Sequence, residues 1–301
     1  MIARLSFKSE EEKKNYVLRC DEDFEGRLDT VIKSLCETDG LQFVTLSGPT
    51  CSGKTTASKK MVSEFSERGR NVKIISIDDF FRDRTELERD AIASGGKLDF
   101  DSEKALDLPE LSDFMHRIQN GMNARLPHFD FVQAKRVKYD DFSVEKNDIV
   151  IFEGIQAIYP AFTSLIEEKD RIKSFYISPL QPLVVGGITL EPREIRLWRR
   201  LVRDYKYRGA SPEFSFHLWE SVTENEDKNI LPFAGDTDFR IDSLLGYEPC
   251  MLKESLCSIL SEVRRESKYY EKAKSIISVL KDADTVSEKY LPENSLYHEF
   301  M

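Results

Sequence analysis

Gly48-Pro-Thr-Cys-Ser-Gly-Lys-Thr55 follows the pattern G-x-x-x-x-G-K-[ST], and the rest of the chain is best read outward from it. Gly48 and Gly53 let the backbone turn tightly, so that successive N–H groups point inward at phosphate oxygens. Lys54 supplies a mobile ammonium that reaches the β- and γ-phosphates of a bound triphosphate. Thr55 offers a hydroxyl to the Mg²⁺ that accompanies such a ligand. Four constrained positions give roughly a 1% chance of an accidental match in a chain of this size. The flanks then add context. Leu41 to Ser47 reads as a short apolar strand, and Thr55 to Phe65 as a helix with Ala57, Met61, Val62 and Phe65 on one face. A helix starting at the loop adds positive partial charge where phosphates would sit. Gly48, Pro49, Thr50, Cys51, Ser52, Gly53, Lys54, Thr55 and Thr56 are therefore expected to line a nucleotide such as ATP. Cys51 has two readings: a thiol activated at a helix N-terminus, or simply a small residue that fits.

The 301 residues suffice for one large α/β domain or two small ones, with 33% charged and 40% apolar residues. A net charge of −10 argues against general binding to nucleic acid or to a membrane surface. The five cysteines are scattered without a C-x-x-C pair and the four histidines lie far apart, so free thiols, a reducing cytoplasm and no zinc site are expected. No apolar run reaches membrane-spanning length, and the first residues lack the apolar core of a signal peptide.

Along the chain, residues 1–24 are charge-rich and read as an appendage or mobile arm, with a helix over Arg27 to Cys36; residues 1–40 form an N-terminal arm and leading helix. Val72 to Ile77 is a second strand ending at Asp78-Asp79. Residues 82–101 read as a loop over the site, and Glu103 to Gln119 as a helix. Ile149 to Phe152 is a buried strand ending at Glu153. Further elements are a strand over Ile172 to Ile177, an Arg-rich helix over Glu194 to Tyr207, a strand over Thr237 to Ile241, and one or two helices over Glu254 to Leu280. Apolar strands alternating with helices predict an α/β fold of P-loop NTPase type. The sheet is expected to be mostly parallel, covered by helices on both faces, with a helical lid. The kinase domain is expected over 41–250, its lid at about 205–230, with a helical extension over 251–301.

In such a sheet ligands gather at the carboxyl ends of the strands, where the loop, Asp78 and Glu153 would all fall. Glu153 has the position of a carboxylate that holds Mg²⁺, and Asp78 that of a general base or orienter for an acceptor hydroxyl. Arg196, Arg199, Arg200 and Arg203 follow the i, i+3, i+4, i+7 rule and share a helix face. Four like charges on one face suggest a phosphate clamp; pairing with local acids such as Glu194 and Asp204 is the alternative. Arg208-Gly209 suggests a hinge into a closing lid. Phe129 and Phe131 would point to one side of a strand, presenting a ring to a planar base or simply packing in the core.

Taken as an ordered set, Gly48 to Thr56, Ser76-Ile-Asp-Asp-Phe-Phe81, Leu98-Asp-Phe-Asp101, Pro127-His-Phe-Asp-Phe131, Phe152-Glu-Gly-Ile155 and Arg196-Leu-Trp-Arg-Arg-Leu-Val-Arg-Asp204 resemble the uridine kinase and phosphoribulokinase family over about residues 40–250. A closer similarity is to the kinase module of bacterial uridine-kinase-like proteins that carry an N-terminal TGS domain. It rests on Asp78 to Arg84, Trp219-Glu-Ser-Val222, Asn229 to Phe233, Ile241 to Glu248 and the tail Asn294-Ser-Leu-Tyr-His-Glu-Phe300; the residues before the first strand are expected to be too few for a TGS domain. The resemblance implies that Asp78 accepts or orients a 5′-hydroxyl and that Asp101 grips the ribose hydroxyls. It further implies that Phe129 and Phe131 contact the base, that Arg200 and Arg203 serve phosphate and acceptor, and that Arg208 is a lid arginine on the nucleotide. Lys54 joins Asp78, Arg200 and Arg203 in the catalytic set. The sequence departs from the nucleoside kinases at Phe129, where they usually have Tyr, at Ala134, where they carry a base-reading His, and at Ala210, where they carry a second lid Arg. A site built on polar base readout loses selectivity without those groups.

The expected function is an ATP- and Mg²⁺-dependent kinase acting on a small hydroxyl acceptor, foremost the 5′-hydroxyl of uridine or cytidine, in the cytoplasm, with oligomeric state open. Two readings stand beside it: the same fold acting on a sugar phosphate or pantothenate-like alcohol, and a nucleotide-binding regulator with little turnover. An Asn-Lys-x-Asp guanine-reading motif, which a GTPase switch would need, does not occur.

Overall fold

The computed structural model describes residues 1–94 and 102–301. In chain order the elements are α1 (Glu10–Cys36), β1 (Phe43–Ser47), α2 (Lys54–Glu67), β2 (Asn71–Ser76), α3 (Arg84–Ser94), α4 (Leu108–Gln119), β3 (Ala124–Asp130), β4 (Lys135–Phe142), β5 (Asp148–Glu153), α5 (Pro160–Thr163), β6 (Ile172–Ser178), β7 (Leu183–Val185), β8 (Ile188–Leu190), α6 (Pro192–Arg208), α7 (Pro212–Asn225), α8 (Leu231–Ala234), β9 (Phe239–Asp242), α9 (Glu248–Ser261) and α10 (Tyr270–Leu280). Among the described residues the central sheet runs β2-β5-β1-β6-β9, with every pairing parallel. Strand alternation sorts the sheet residues into two layers. Val44, Leu46, Ile149 and Ile151 face a core shared with α1, α2, α6, α9 and α10. Phe43, Ile75, Val150 and Phe152 face a second core built with α4, β3 and α5. Both sheet faces are thus covered, the arrangement that apolar parallel strands require.

Several local expectations change. The charged N-terminus is not an arm: α1 is one continuous helix, capped by the Ser9 hydroxyl on the Glu12 amide, with Val17, Phe24, Leu28, Ile32 and Leu35 fully buried. Its dense charges lie on the opposite face, which hides the apolar stripe from a composition-based reading. Part of the supposed loop over 82–101 is helix α3. The helix expected from Glu103 begins at Leu108 behind the Asp107 cap, after a short 3₁₀ turn at Glu103–Ala105. A strand is expected around Phe129 and Phe131, but its partner β4 and the small hairpin β7–β8 have no counterpart in the sequence reading.

The long helix α6 is sharply bounded. Glu191 and Glu194 form a reciprocal capping box, Pro192 opens the first turn, and Gly209 ends it at φ 62° in the left-handed region. Ser211 then caps α7 by accepting from the Phe214 amide, with Pro212 at its first position. The chain therefore turns a capped corner between α6 and α7.

Candidate active site

Strand register assembles the site. Glu153, the last residue of β5, pairs with Leu46 of β1 on one side and Ser76 of β2 on the other. The loop that leaves β1, Asp78 just beyond β2, and Glu153 between them therefore share one end of the sheet. Gly48 is needed there for close approach: a Cβ would sit 2.3 Å from the Ile177 carbonyl oxygen of neighbouring β6 and 2.7 Å from the Ser52 hydroxyl. Gly53 has φ 105° and caps α2 in the left-handed region, which an L side chain tolerates poorly. Cys51 is also left-handed, at φ 57°, and is buried. Lys54 folds back so that its ammonium donates to the carbonyls of Gly48 at 2.8 Å and Pro49 at 3.2 Å. Burial lowers the pKa of Lys54, opposed by the charges of Glu153, Glu299 and Asp78. Burial also raises the carboxyl of Glu153, with Lys54 pulling it down and Glu299 pushing it up.

A cleft of about 720 Å³ opens over this loop, lined by Thr50 to Thr56, Lys59, Lys60 and Arg203 on one side and by the C-terminal segment on the other. Among the described residues no group of three or more His, Cys, Asp or Glu side chains is placed to hold a metal ion alone. Thr55 and Glu153 offer hard oxygen donors, which suit Mg²⁺ completed by water and phosphate oxygens rather than an all-protein cage.

The arginine face of α6 divides in two. Arg196 is 3% exposed and pairs with Glu226, Nη1 to Oε1 at 2.8 Å, while also donating to the Thr50 carbonyl at 3.3 Å. Arg199 is 0% exposed; it donates to both Glu248 carboxylate oxygens at 2.7 and 2.6 Å, to the Ser243 carbonyl at 2.6 Å and to the Cys51 carbonyl at 3.0 Å. These two guanidinium groups are consumed by acids, which corrects the reading of a four-arginine clamp. The acids lie far away in sequence, and are not the local Glu194 and Asp204 considered from spacing. Arg200, Arg203 and Arg208 instead share the buried Asp204, at 3.0, 2.7 and 3.3 Å. Arg203 also donates to the Thr50 hydroxyl at 3.2 Å, so it faces the phosphate loop. The electrostatics separate the groups as well. At Arg199 burial is outweighed by Glu248 and the pKa rises; at Arg200 burial dominates, Asp204 offsets it only in part, and the pKa falls. One Asp204 carboxylate shared among Arg200, Arg203 and Arg208 leaves this cluster a positive excess that an anion would satisfy.

On the other side of Asp78, Asp79 accepts the Phe129 amide at 3.1 Å and its carboxyl is raised by burial. This anchors β3 to the end of β2. Phe129 is 8% exposed and belongs to the second core, whereas Phe131 lies just past β3 at 64% exposed. The two rings stand 5.3 Å apart at 69°, and Phe81 meets both edge-on. Ala134 sits in the hairpin turn at φ 51°, its carbonyl accepting from the Arg84 amide. Arg208 is at the solvent-facing end of α6, 59% exposed. Asp101 lies outside the described residues. Sequence reasoning missed Glu299: its carboxylate accepts from the Thr56 amide in the first turn of α2. No sequence spacing relates a tail residue to the loop; only the quoted tail match hinted that the segment mattered.

A glycine-cradled loop at a helix start, a lysine folded over it, two acids at adjacent strand ends and guanidinium groups facing it define a phosphotransferase of P-loop kinase type. The chain belongs to the Phosphoribulokinase / Uridine kinase family, whose model matches residues 43–246. By that membership it is an ATP-dependent kinase. It is 24% identical to uridine-cytidine kinase B of Dictyostelium discoideum over 243 residues, covering 80% of this chain and 90% of the relative. It is 29% identical to the uridine kinase of Clostridium perfringens over 182 residues, 60% of this chain and 77% of the relative. It is 28% identical to inorganic pyrophosphatase TTM1 of Arabidopsis thaliana over 181 residues, where the match spans 24% of that longer protein. Among solved structures, the "possible uridine kinase" of Bacillus stearothermophilus superposes with a TM-score of 0.49 at 15% identity, covering 73% of this chain and all of that one. No helix among the described residues is long and apolar enough to cross a membrane.

Proposed function

We propose that the chain transfers the γ-phosphate of ATP to the 5′-hydroxyl of a pyrimidine nucleoside. The observation that carries this reading is the register that puts Glu153 between the ends of β1 and β2, with the glycine loop on one side and Asp78 on the other. Loop amides and Lys54 would hold the triphosphate; Thr55 and Glu153 would hold Mg²⁺, which when bound supplies charge neutralisation at the phosphates. Asp78 accepts the hydroxyl proton as the acceptor oxygen bonds to the γ-phosphorus and the bond to the β-bridging oxygen breaks. Arg200 and Arg203 stabilise the charge that develops on the transferring group. Phe129 forms the floor and Phe131 the exposed edge of the acceptor wall, and Asp101 would grip the ribose. Arg208, at the end of α6, would reach the nucleotide, and a lid over about 205–230 would close over it and exclude water. The relatives named uridine and uridine-cytidine kinases support the nucleoside as acceptor.

Ala134 favours a second acceptor class. It offers no side-chain donor to a base edge, and its carbonyl is already engaged by Arg84. A sugar phosphate would instead use the positive excess of the Arg200, Arg203 and Arg208 cluster around Asp204. The test is Asp78→Ala assayed against a panel of nucleosides and phosphorylated alcohols: transfer should vanish while ATP binding survives. Normal turnover by that variant would remove Asp78 from its role.

A further inference from the structure

The C-terminal segment is built into the nucleotide cleft. Leu296, Tyr297 and Phe300 are each 0% exposed and belong to the main core. Leu296 covers Gly53 so closely that a Cβ there would lie 2.5 Å from its Cδ1. The Phe300 ring stacks under the Arg199 guanidinium at 4.5 Å, the same group that holds the Cys51 carbonyl. Between these anchors Glu299 remains half-buried and turns toward the loop, where its carboxylate takes the Thr56 amide. That amide is one of the unpaired donors at the start of α2 which the fold otherwise directs at an anion. The same charge acts on Lys54 and on Glu153.

We infer that Glu299 determines nucleotide affinity by competing with a phosphate group for the first turn of α2. The inference rests on the reading of the loop as an ATP site. Undocking the whole segment would expose three large apolar side chains to water, whereas rotating Glu299 exposes none. The tail therefore stays in place, and only its carboxylate exchanges with the incoming phosphate. A bound nucleotide gains the Thr56 amide but must displace one negative charge and then lie beside it, so the wild-type affinity is weaker than the loop alone would give. A carboxylate held here also keeps the helix start satisfied in the nucleotide-free protein.

The test is calorimetric titration of the full chain with ATP and Mg²⁺, comparing wild type, Glu299→Ala, Glu299→Gln, and Glu271→Ala as a remote loss of the same charge. Glu299→Ala should tighten the dissociation constant roughly five- to ten-fold. Glu299→Gln should tighten it in the same direction, because the charge is gone although an acceptor oxygen remains. Glu271→Ala should change it less than two-fold by comparison, since screening removes remote surface charges (~10 Å Debye length). Unchanged or weaker binding by Glu299→Ala overturns the inference, as does equal tightening by Glu271→Ala. Wild-type binding that is lost in Lys54→Met while Glu299→Ala has no effect keeps the ATP site and rejects the competition. Absence of binding by every variant rejects both.

Discussion

Arg199 and Arg203 sit one helical turn apart on α6, and replacing each by Met should have opposite consequences. Arg199→Met strands the Glu248 carboxylate, which is 1% exposed and, among the described residues, would keep the Leu245 amide at 2.9 Å as its donor. The carbonyls of Cys51 and Ser243 lose their donor as well. Breaking one side of a buried pair costs about 3–5 kcal/mol. Arg203→Met leaves Asp204 with Arg200 at 3.0 Å and Arg208 at 3.3 Å, so the stability loss should stay within about 1 kcal/mol. Its rate loss should be large, about 10²–10³ in kcat, the cost of removing a preorganised charge from a transferring group. Urea unfolding followed by Trp198 and Trp219 fluorescence reads the first quantity, since both indoles are buried. Coupled detection of ADP in the presence of acceptor reads the second. The double variant Arg199→Met with Glu248→Met should recover much of the lost stability, because no uncompensated charge then remains. The reasoning is refuted if Arg199→Met unfolds within about 1 kcal/mol of wild type, or if Arg203→Met is strongly destabilised while kcat is unchanged.

Glu153→Gln should stabilise the ligand-free protein at neutral pH yet cost at least about 10² in kcat. The carboxyl pKa is raised in the folded state, chiefly by burial, so its ionisation works against folding. That sign means the favourable contribution is present below the ordinary carboxylate range and lost as pH rises through the raised value; thermal melts at pH 4 and pH 8 should show the gain of the Gln variant only at the higher pH. Gly48→Ala should destabilise by about 1–3 kcal/mol or more and abolish ATP binding, since its Cβ meets the Ile177 backbone oxygen; melting and titration together check it. Phe131→Ala should leave stability within about 0.5 kcal/mol and raise KM for the acceptor, whereas Phe129→Ala should cost about 3–5 kcal/mol, as read by urea unfolding.

The parallel sheet and the phosphate loop were legible because their signals are local: apolar runs that end in glycine or acid. Asp78 and Glu153 followed, because a parallel sheet collects strand ends. The arginine helix shows where such reading stops. Helical spacing placed four arginines on one face, but whether a guanidinium is free depends on acids such as Glu226 and Glu248, brought in by the tertiary fold. The same limit hid the first part of α1, before Arg27, whose charged residues mask a buried stripe, and Glu299, which reaches the first turn of α2 because Leu296, Tyr297 and Phe300 anchor the tail. Short antiparallel pairs such as β7–β8 carry too few residues for an alternating pattern to stand out.

Phosphorus NMR of the reaction with ATP, Mg²⁺ and uridine or cytidine addresses the assignment of a transfer site most directly. Wild-type protein should produce ADP and a nucleoside 5′-monophosphate in equal amounts, and Asp78→Asn should produce neither while still binding ATP. ADP appearing with inorganic phosphate alone, or equal product formation by Asp78→Asn, would contradict it.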